Sequence, residues 1–358
     1  MEANPSMTAT TNRPLRFGII GCGALGVVHA RRLTELPAVS VTAVSDPDTA
    51  AMGRTAAALP ANAQPPAQFA DYRELLQHPD LDAICINSPN PWHVEQLLAS
   101  LERGLDVLCE KPLTMVPAEV DQVVEATRKS GKTVAIAYQS RYRRDSRILR
   151  RALQSGKWGR VTSVNVFSCE DWITPNVGTW RHDPARCPGG FFADANGHQL
   201  DLLFWMTGLH ATSLRATIEK RGTPVPMVTW GEARLASSGA QTAHAEHPDG
   251  IPFTFLFVGD AKHWGEDISI QTEGADFHMR GTKLLWSDGK GPMGPFPESE
   301  SDPADQEDTP DTAFVTALRG GTPVASPPHT VWPVLTFTLA ALESAETGNP
   351  VRPQIPPI

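Results

Sequence analysis

Over the first 140 residues the apolar positions switch repeatedly between two periods. Runs rich in aliphatic and β-branched residues, Leu15 to Ile20, Val39 to Val44, Ala83 to Asn87, Asp106 to Cys109 and Thr133 to Ala137, read as strands. Between them, near Gln68 to Gln77, Pro91 to Arg103 and Pro117 to Ser130, the spacing is helical. This alternation predicts a parallel sheet with helices on both faces. After Arg141 the pattern changes. A helix (Asp145 to Gln154) leads into a strand (Arg160 to Ser168), and a second helix from about Asp194 to Met206 stops at Gly208. Period-two runs follow at Ser213 to Lys220, Val228 to Ser237, Pro252 to Val258 and Asp267 to Glu273, the mark of an antiparallel sheet with one wet face. Such a face needs cover, and a second subunit is the usual cover. The acidic, Pro-rich stretch Gly291 to Asp311 reads as a long loop, and a last helix spans Val331 to Thr347, before Gly348. The chain thus divides into a polar tail (residues 1–13) expected to be disordered, an α/β domain (14–140) and an α+β domain (141–358).

The first strand, Leu15 to Ile20, runs directly into Gly21-Cys22-Gly23-Ala24-Leu25-Gly26 and then an amphipathic helical pattern to Arg32. Strand, glycine turn and helix in this order suit a dinucleotide. Gly21 permits the turn, Gly23 lets the backbone approach a pyrophosphate at the helix N-terminus, and Gly26 lets helix and strand pack closely. The second apolar run ends at Asp46, about 20 residues further on, where a carboxylate can accept hydrogen bonds from both adenosine ribose hydroxyls. Asp46 also suits a turn opening with Pro47. In the first role it favours NAD over NADP, because it repels a 2′-phosphate and no arginine follows it immediately.

With 358 residues, 41% hydrophobic and 20% charged, the chain is long enough for two well-filled cores. Its net charge of -9 argues against a nucleic-acid surface. The basic cluster Arg141 to Arg151 reads as a solvated helix face. Five cysteines (Cys22, Cys85, Cys109, Cys169, Cys187) form no Cys-x-x-Cys pair, so neither a zinc site nor a disulfide framework is indicated and a reducing cytoplasm fits. No signal peptide is visible, and no run approaches the roughly 20 apolar residues that cross a bilayer.

Two further strand ends carry chemistry: Asn87-Ser88-Pro89-Asn90-Pro91-Trp92-His93 and Cys109-Glu110-Lys111-Pro112. Both lie where open α/β sheets bind ligands. Pro112 disfavours a helical Lys111, so the lysine projects extended and can polarise a substrate oxygen, unless it is a surface lysine before a proline turn. A third segment, Gly189-Gly190-Phe191-Phe192-Ala193-Asp194-Ala195-Asn196-Gly197-His198-Gln199-Leu200-Asp201, puts Asp194, His198 and Asp201 on one face if it is one helix. That is an acid/base cluster, or a capping Asp194 with a packed His198. A metal site would need a further ligand that the sequence does not supply.

Gly21-Cys22-Gly23-x-x-Gly26, Ser88-Pro89-Asn90-x-x-His93, Glu110-Lys111-Pro112, Trp180-Arg181 and Gly189-Gly190…Asp194-x-x-x-His198-x-x-Asp201 resemble the glucose-fructose oxidoreductase/inositol dehydrogenase (Gfo/Idh/MocA) family over about Leu15 to Val351. The resemblance implies a Rossmann domain followed by a domain built on a large, mostly antiparallel open sheet. It implies NAD(P)-dependent oxidation or reduction of a sugar, polyol or related carbohydrate; the cysteines and the uncovered sheet face add the expectation of a cytoplasmic homodimer or homotetramer. Carried over by position, Lys111 hydrogen-bonds the reacting oxygen, His198 is the proton donor or acceptor, Asp194 holds substrate and biases His198, and Asp201 is a support. Ser88, Asn90, His93 and Glu110 lie along the nicotinamide ribose. Trp180 and Arg181 approach the cofactor from the second domain, and Gln139 joins the cofactor set with Lys111, Gly21, Gly23, Ala24, Leu25, Gly26 and Asp46. One departure is Asn196, where family members have glycine; here Gly197 follows. A non-catalytic NAD-binding regulator and an NAD-dependent glycosidase of the same fold are the alternatives. Retention of Lys111 and His198 speaks against the regulator.

Overall fold

The computed structural model describes residues 13–237, 249–354 and 356. All of the tail expected to be disordered except Arg13 lies outside these residues. The chain forms two compact units. In the first, β1 (Leu15–Ile20), α1 (Ala24–Glu35), β2 (Val39–Ser45), α2 (Thr49–Ala57), β3 (Ala67–Phe69), α3 (Tyr72–Leu75), β4 (Ala83–Ile86), α4 (His93–Glu102), β5 (Asp106–Cys109), α5 (Pro117–Ser130) and β6 (Val134–Ile136) follow one another. The six strands make a parallel sheet in the order β3-β2-β1-β4-β5-β6. The order reverses between β1 and β4, so the loops after these strands flank the switch point where such sheets bind ligands. The expected helix near Gln68 to Gln77 is instead an edge strand and a single turn, because residues 67–69 pair with β2. α4 starts only at His93, after one tight turn at Asn90–Trp92.

The second unit continues with α6 (Arg144–Gln154), β7 (Val161–Asp171), α7 (Ile173–Asn176), α8 (Gly190–Asp194), α9 (Gly197–Thr207), β8 (Leu209–Glu219), β9 (Val228–Ser237), β10 (Ile251–Val258), β11 (Asp260–Thr272), β12 (Asp276–Arg280), β13 (Lys283–Ser287), β14 (Gly294–Pro295) and, after α10 (Pro310–Leu318) of the first unit, α11 (Trp332–Thr347). Its eight strands run in the order β14-β13-β12-β11-β7-β10-β9-β8, with β7 and β10 parallel and the other pairs antiparallel. Alternation along β10 puts Phe253, Phe255 and Phe257 on the inner face, where Phe192 of α8 and Phe337 of α11 pack on them at ring separations of 5.3 to 6.5 Å. α9 is buried almost all round and ends at Gly208 in the left-handed conformation expected of a stop signal.

Three expectations are corrected. The helix expected from Asp194 to Met206 is two helices, because the N–H groups of Ala195 and Asn196 and the Asn196 side chain all turn to the Phe191 carbonyl and interrupt the register. The basic cluster is not a solvated face: Arg141 is buried with Asp201, and Arg143, Arg144, Arg147 and Arg151 pair with carboxylates further along the chain. The acidic stretch Gly291 to Asp311 is not loop throughout, since it holds β14 and the start of α10.

Residues 310–327 belong with the first unit. Phe314 of α10 is wholly buried and meets Phe17 of β1 edge to face, 6.2 Å between ring centres. Phe314→Ala is expected to cost about 3–5 kcal/mol through the cavity it leaves; a guanidinium denaturation curve displaced by less than about 1 kcal/mol would contradict this packing.

Candidate active site

In the first unit the glycine turn and the β4 loop are locked together. Gly21 has φ +87°, and a Cβ there would lie 2.5 Å from the Ser88 amide nitrogen; a Cβ on Gly26 would lie 2.1 Å from the Gly21 carbonyl oxygen. Gly23 differs: a Cβ on it would meet nothing within 4 Å. α1 begins with no side-chain cap and no acidic residue in its first turn, so its N-terminal amides at Gly23, Ala24 and Leu25 are suited to an anion. Asp46 directly follows β2, its Oδ2 accepting from the Cys22 N–H and its Oδ1 from the Asp48 N–H, both at 2.8 Å. Ionised, each oxygen keeps a further lone pair for a ribose hydroxyl. These residues fit a dinucleotide.

Around β4, the Ser88 hydroxyl donates to Gln96 at 2.6 Å, and His93, wholly buried, has its Nε2 2.8 Å from the Ser88 carbonyl. His93 therefore braces the loop from inside, while Asn90 is half-buried on the tight turn that follows. Glu110 follows β5 and is buried, its Oε1 3.1 Å from His29 Nε2. His29 lies in the apolar stripe of α1 with Gly26, Ala30 and Leu33. A polar residue in such a stripe is the signal that reveals it, and sequence reasoning missed it.

In the second unit Lys111 and Asp194 meet. The lysine Nζ donates to the Asp194 carbonyl at 2.8 Å and lies 3.9 Å from its Oδ1. Arg181 Nε donates to Asp194 Oδ2 at 2.8 Å, and the Trp172 indole adds a further hydrogen bond. Burial pushes the Asp194 carboxyl up, but Lys111, Arg181 and these hydrogen bonds outweigh it and hold it below the ordinary carboxylate range. Arg181, expected at the cofactor, is thus engaged with Asp194, and its guanidinium lies 4.5 Å from the centre of the Trp180 ring. Glu170 on β7 joins the cluster. Burial raises its carboxyl, Lys111 opposes and Asp194 adds to the rise. His182 stacks on Trp172 at 5.5 Å. Glu170, Trp172 and His182 carry no sequence signal, because β7 and the turn at 180–182 come together only by folding.

His198 is half-buried in the first turn of α9. Asp201 does not join the acid/base face: both its oxygens are taken by Arg141, at 2.8 and 2.5 Å, which is the supporting role expected of it. Gln139 is exposed at the start of a tight turn ending at Tyr142. Among the described residues no group of three or more His, Cys, Asp or Glu could hold a metal ion. No helix there is long and apolar enough to cross a membrane.

A glycine turn, a helix N-terminus without a side-chain cap and a carboxylate just past β2 suit a dinucleotide-binding domain. The chain belongs to the Gfo/Idh/MocA family: residues 15–138 match the oxidoreductase family's NAD-binding Rossmann fold and residues 146–265 its C-terminal domain. It is 31% identical over 211 residues to inositol 2-dehydrogenase 4 of Saccharopolyspora erythraea, covering 57% of each chain. It is 29% identical over 286 residues to 1,5-anhydro-D-fructose reductase of Ensifer adhaerens, covering 77% of this chain and 81% of that one. The chain spans only 55% to 57% of the length of the first curated relatives it matches. A solved levoglucosan dehydrogenase, in complex with NADH and L-sorbose, shares the fold with a TM-score of 0.79 at 18% identity, over 95% of this chain and 99% of that one.

Because the folded-state pKa of Asp194 is depressed, its ionic contribution is present above the ordinary carboxylate value and is lost as pH falls through the lower folded value. Asp194→Asn, which takes the ionised partner from Lys111 and the part-exposed Arg181, should cost about 1–3 kcal/mol at pH 7. The gap between wild type and variant should narrow towards acid. Urea melts giving the same gap at pH 7 and in strong acid would refute the ionised Asp194.

Proposed function

We propose that the protein is an NAD-dependent oxidoreductase that moves a hydride between nicotinamide and a carbinol or carbonyl carbon of a sugar, polyol or related carbohydrate. The observation that carries this reading is Lys111, two residues after the end of β5, whose ammonium is fixed on Asp194. Relatives named for inositol and anhydrofructose support the substrate class. When bound, the cofactor supplies or accepts the hydride at nicotinamide C4. Lys111 hydrogen-bonds the substrate oxygen and stabilises charge developing on it. His198 gives or takes that oxygen's proton. Asp194 holds Lys111 and Arg181 in place, so the lysine is oriented before substrate arrives.

Lys111→Ala and His198→Ala should each lower turnover about a hundredfold to ten-thousandfold while leaving NADH binding within several-fold of wild type. The assay is NADH absorbance over a panel of polyols and aldoses. Near-normal turnover by His198→Ala on the substrate found would make His198 a packed helix residue. A cofactor that survives gel filtration, with no net NADH formation, would turn the reading towards a glycosidase.

NAD is preferred over NADP, since the carboxylate of Asp46, fixed by two backbone amides, meets a 2′-phosphate with like charge. Titration of both cofactors checks this, and tighter NADP binding would overturn it.

The assembly we infer is a cytoplasmic homodimer or homotetramer, joined through the outer face of the second sheet, where Leu256 is 38% exposed beside Trp230. Light scattering that gives a monomer at micromolar concentration would contradict it.

A further inference from the structure

His29 sits in the middle of α1 and is only 2% exposed. Its Nδ1 is 2.6 Å from Asp311 Oδ1 and its Nε2 3.1 Å from Glu110 Oε1. Both carboxylates are buried as well. An ionised carboxylate only accepts hydrogen bonds, and a neutral imidazole has one N–H and one lone pair. A neutral His29 would therefore set a lone pair against a carboxylate oxygen at one end. Imidazolium, with an N–H at each end, is the form that satisfies both ionised partners. Arg32, 3.7 Å from Asp311 Oδ2, adds a second positive charge facing the two carboxylates, and Cys85 of β4 is a further titratable neighbour. Burial alone would pull His29 down; Cys85, Asp311 and Glu110 outweigh it and hold the imidazole well above the ordinary histidine value.

We infer that His29 is a positioning residue for the cofactor site, an imidazolium that fixes the Glu110 carboxylate at the ligand end of β5 and joins it to the helix whose N-terminus receives the pyrophosphate. Three segments meet at this ring: α1 just past the glycine turn, the end of β5, and α10. The Glu110 backbone is already held, its N–H donating to the Ile86 carbonyl at 2.9 Å, so the side chain is what His29 adds. Glutamine at position 29 carries its N–H donors on one nitrogen and a carbonyl acceptor at the other end, so it cannot present a donor to both carboxylates as imidazolium does. The inference rests on the reading that NAD(H) binds at the glycine turn and reaches Glu110.

The test is a double-mutant cycle on NADH binding, followed by cofactor fluorescence in wild type, His29→Gln, Glu110→Gln and the double variant. Each single change should weaken NADH by about tenfold, and the double variant should bind no worse than the weaker single, because His29 acts through Glu110. His29→Gln should recover most of its kcat at saturating NADH. Losses that multiply, or an unchanged affinity in His29→Gln, overturn the inference. If wild type itself binds no NADH, it is the cofactor reading that fails. A second measurement needs no variant to keep cofactor affinity: nitrogen-15 spectra of the wild-type histidines, the His29 signal assigned by its absence in His29→Gln, should show both ring nitrogens protonated at pH 8. A neutral His29 at pH 7 overturns the inference even if the variant folds poorly.

Discussion

Asp194 is 3% exposed, and a carboxylate at that depth stays ionised only where cations come to it. Lys111 and Arg181 do so from distant parts of the chain, and Trp172 adds a hydrogen bond. The requirement is mutual, since without Asp194 two cations would be left in a poorly solvated place. That constraint sets the direction of Lys111, draws the 180–182 turn onto α8 and brings β7 close enough for Glu170 to feel both charges. An oriented ammonium in a partly dry site is what a reaction at a carbinol or carbonyl oxygen needs.

The same device recurs. Asp201 is held by both ends of the Arg141 guanidinium, Glu266 takes Arg143 and the Gln199 amide, and Glu110 takes His29. Each pair joins residues tens to hundreds of positions apart, so each fixes how separate elements meet. A buried acid with a single acceptable partner is a specificity device as well as a stability term, because a misplaced element leaves it unpaired. The run from Arg141 to Arg151 shows why charge along a sequence is a poor guide to exposure: five of its arginines reach carboxylates contributed by later parts of the chain.

Glycine acts in the opposite way, by what it leaves out. Gly21 and Gly26 allow backbone to touch backbone, whereas a Cβ on Gly23 would meet no atom of the described residues within 4 Å. In the 171–188 segment rings and charges are placed by packing, His182 on Trp172 and Arg181 on Asp194.

Local chemistry determined a good deal. Period-two and helical spacing marked five of the six strands of the first sheet, because each such strand is a short apolar run between helices. The glycine turn was legible because its constraint is steric and local, and the positions of Asp46 and Lys111 because each follows closely on a strand end. Tertiary structure decided the rest. Residues 67–69 became an edge strand only because β2 offered it a partner. The Asp194 helix broke where Asn196 found the Phe191 carbonyl, which removed Asp201 from the acid/base face and gave it to Arg141. Residues 310–327 returned to the first sheet, bringing Phe314 to Phe17 and Asp311 to His29. No short window of sequence contains both members of the Arg141–Asp201, Phe17–Phe314 and His29–Asp311 pairs; their attraction depends on burial, and burial exists only once the chain has folded.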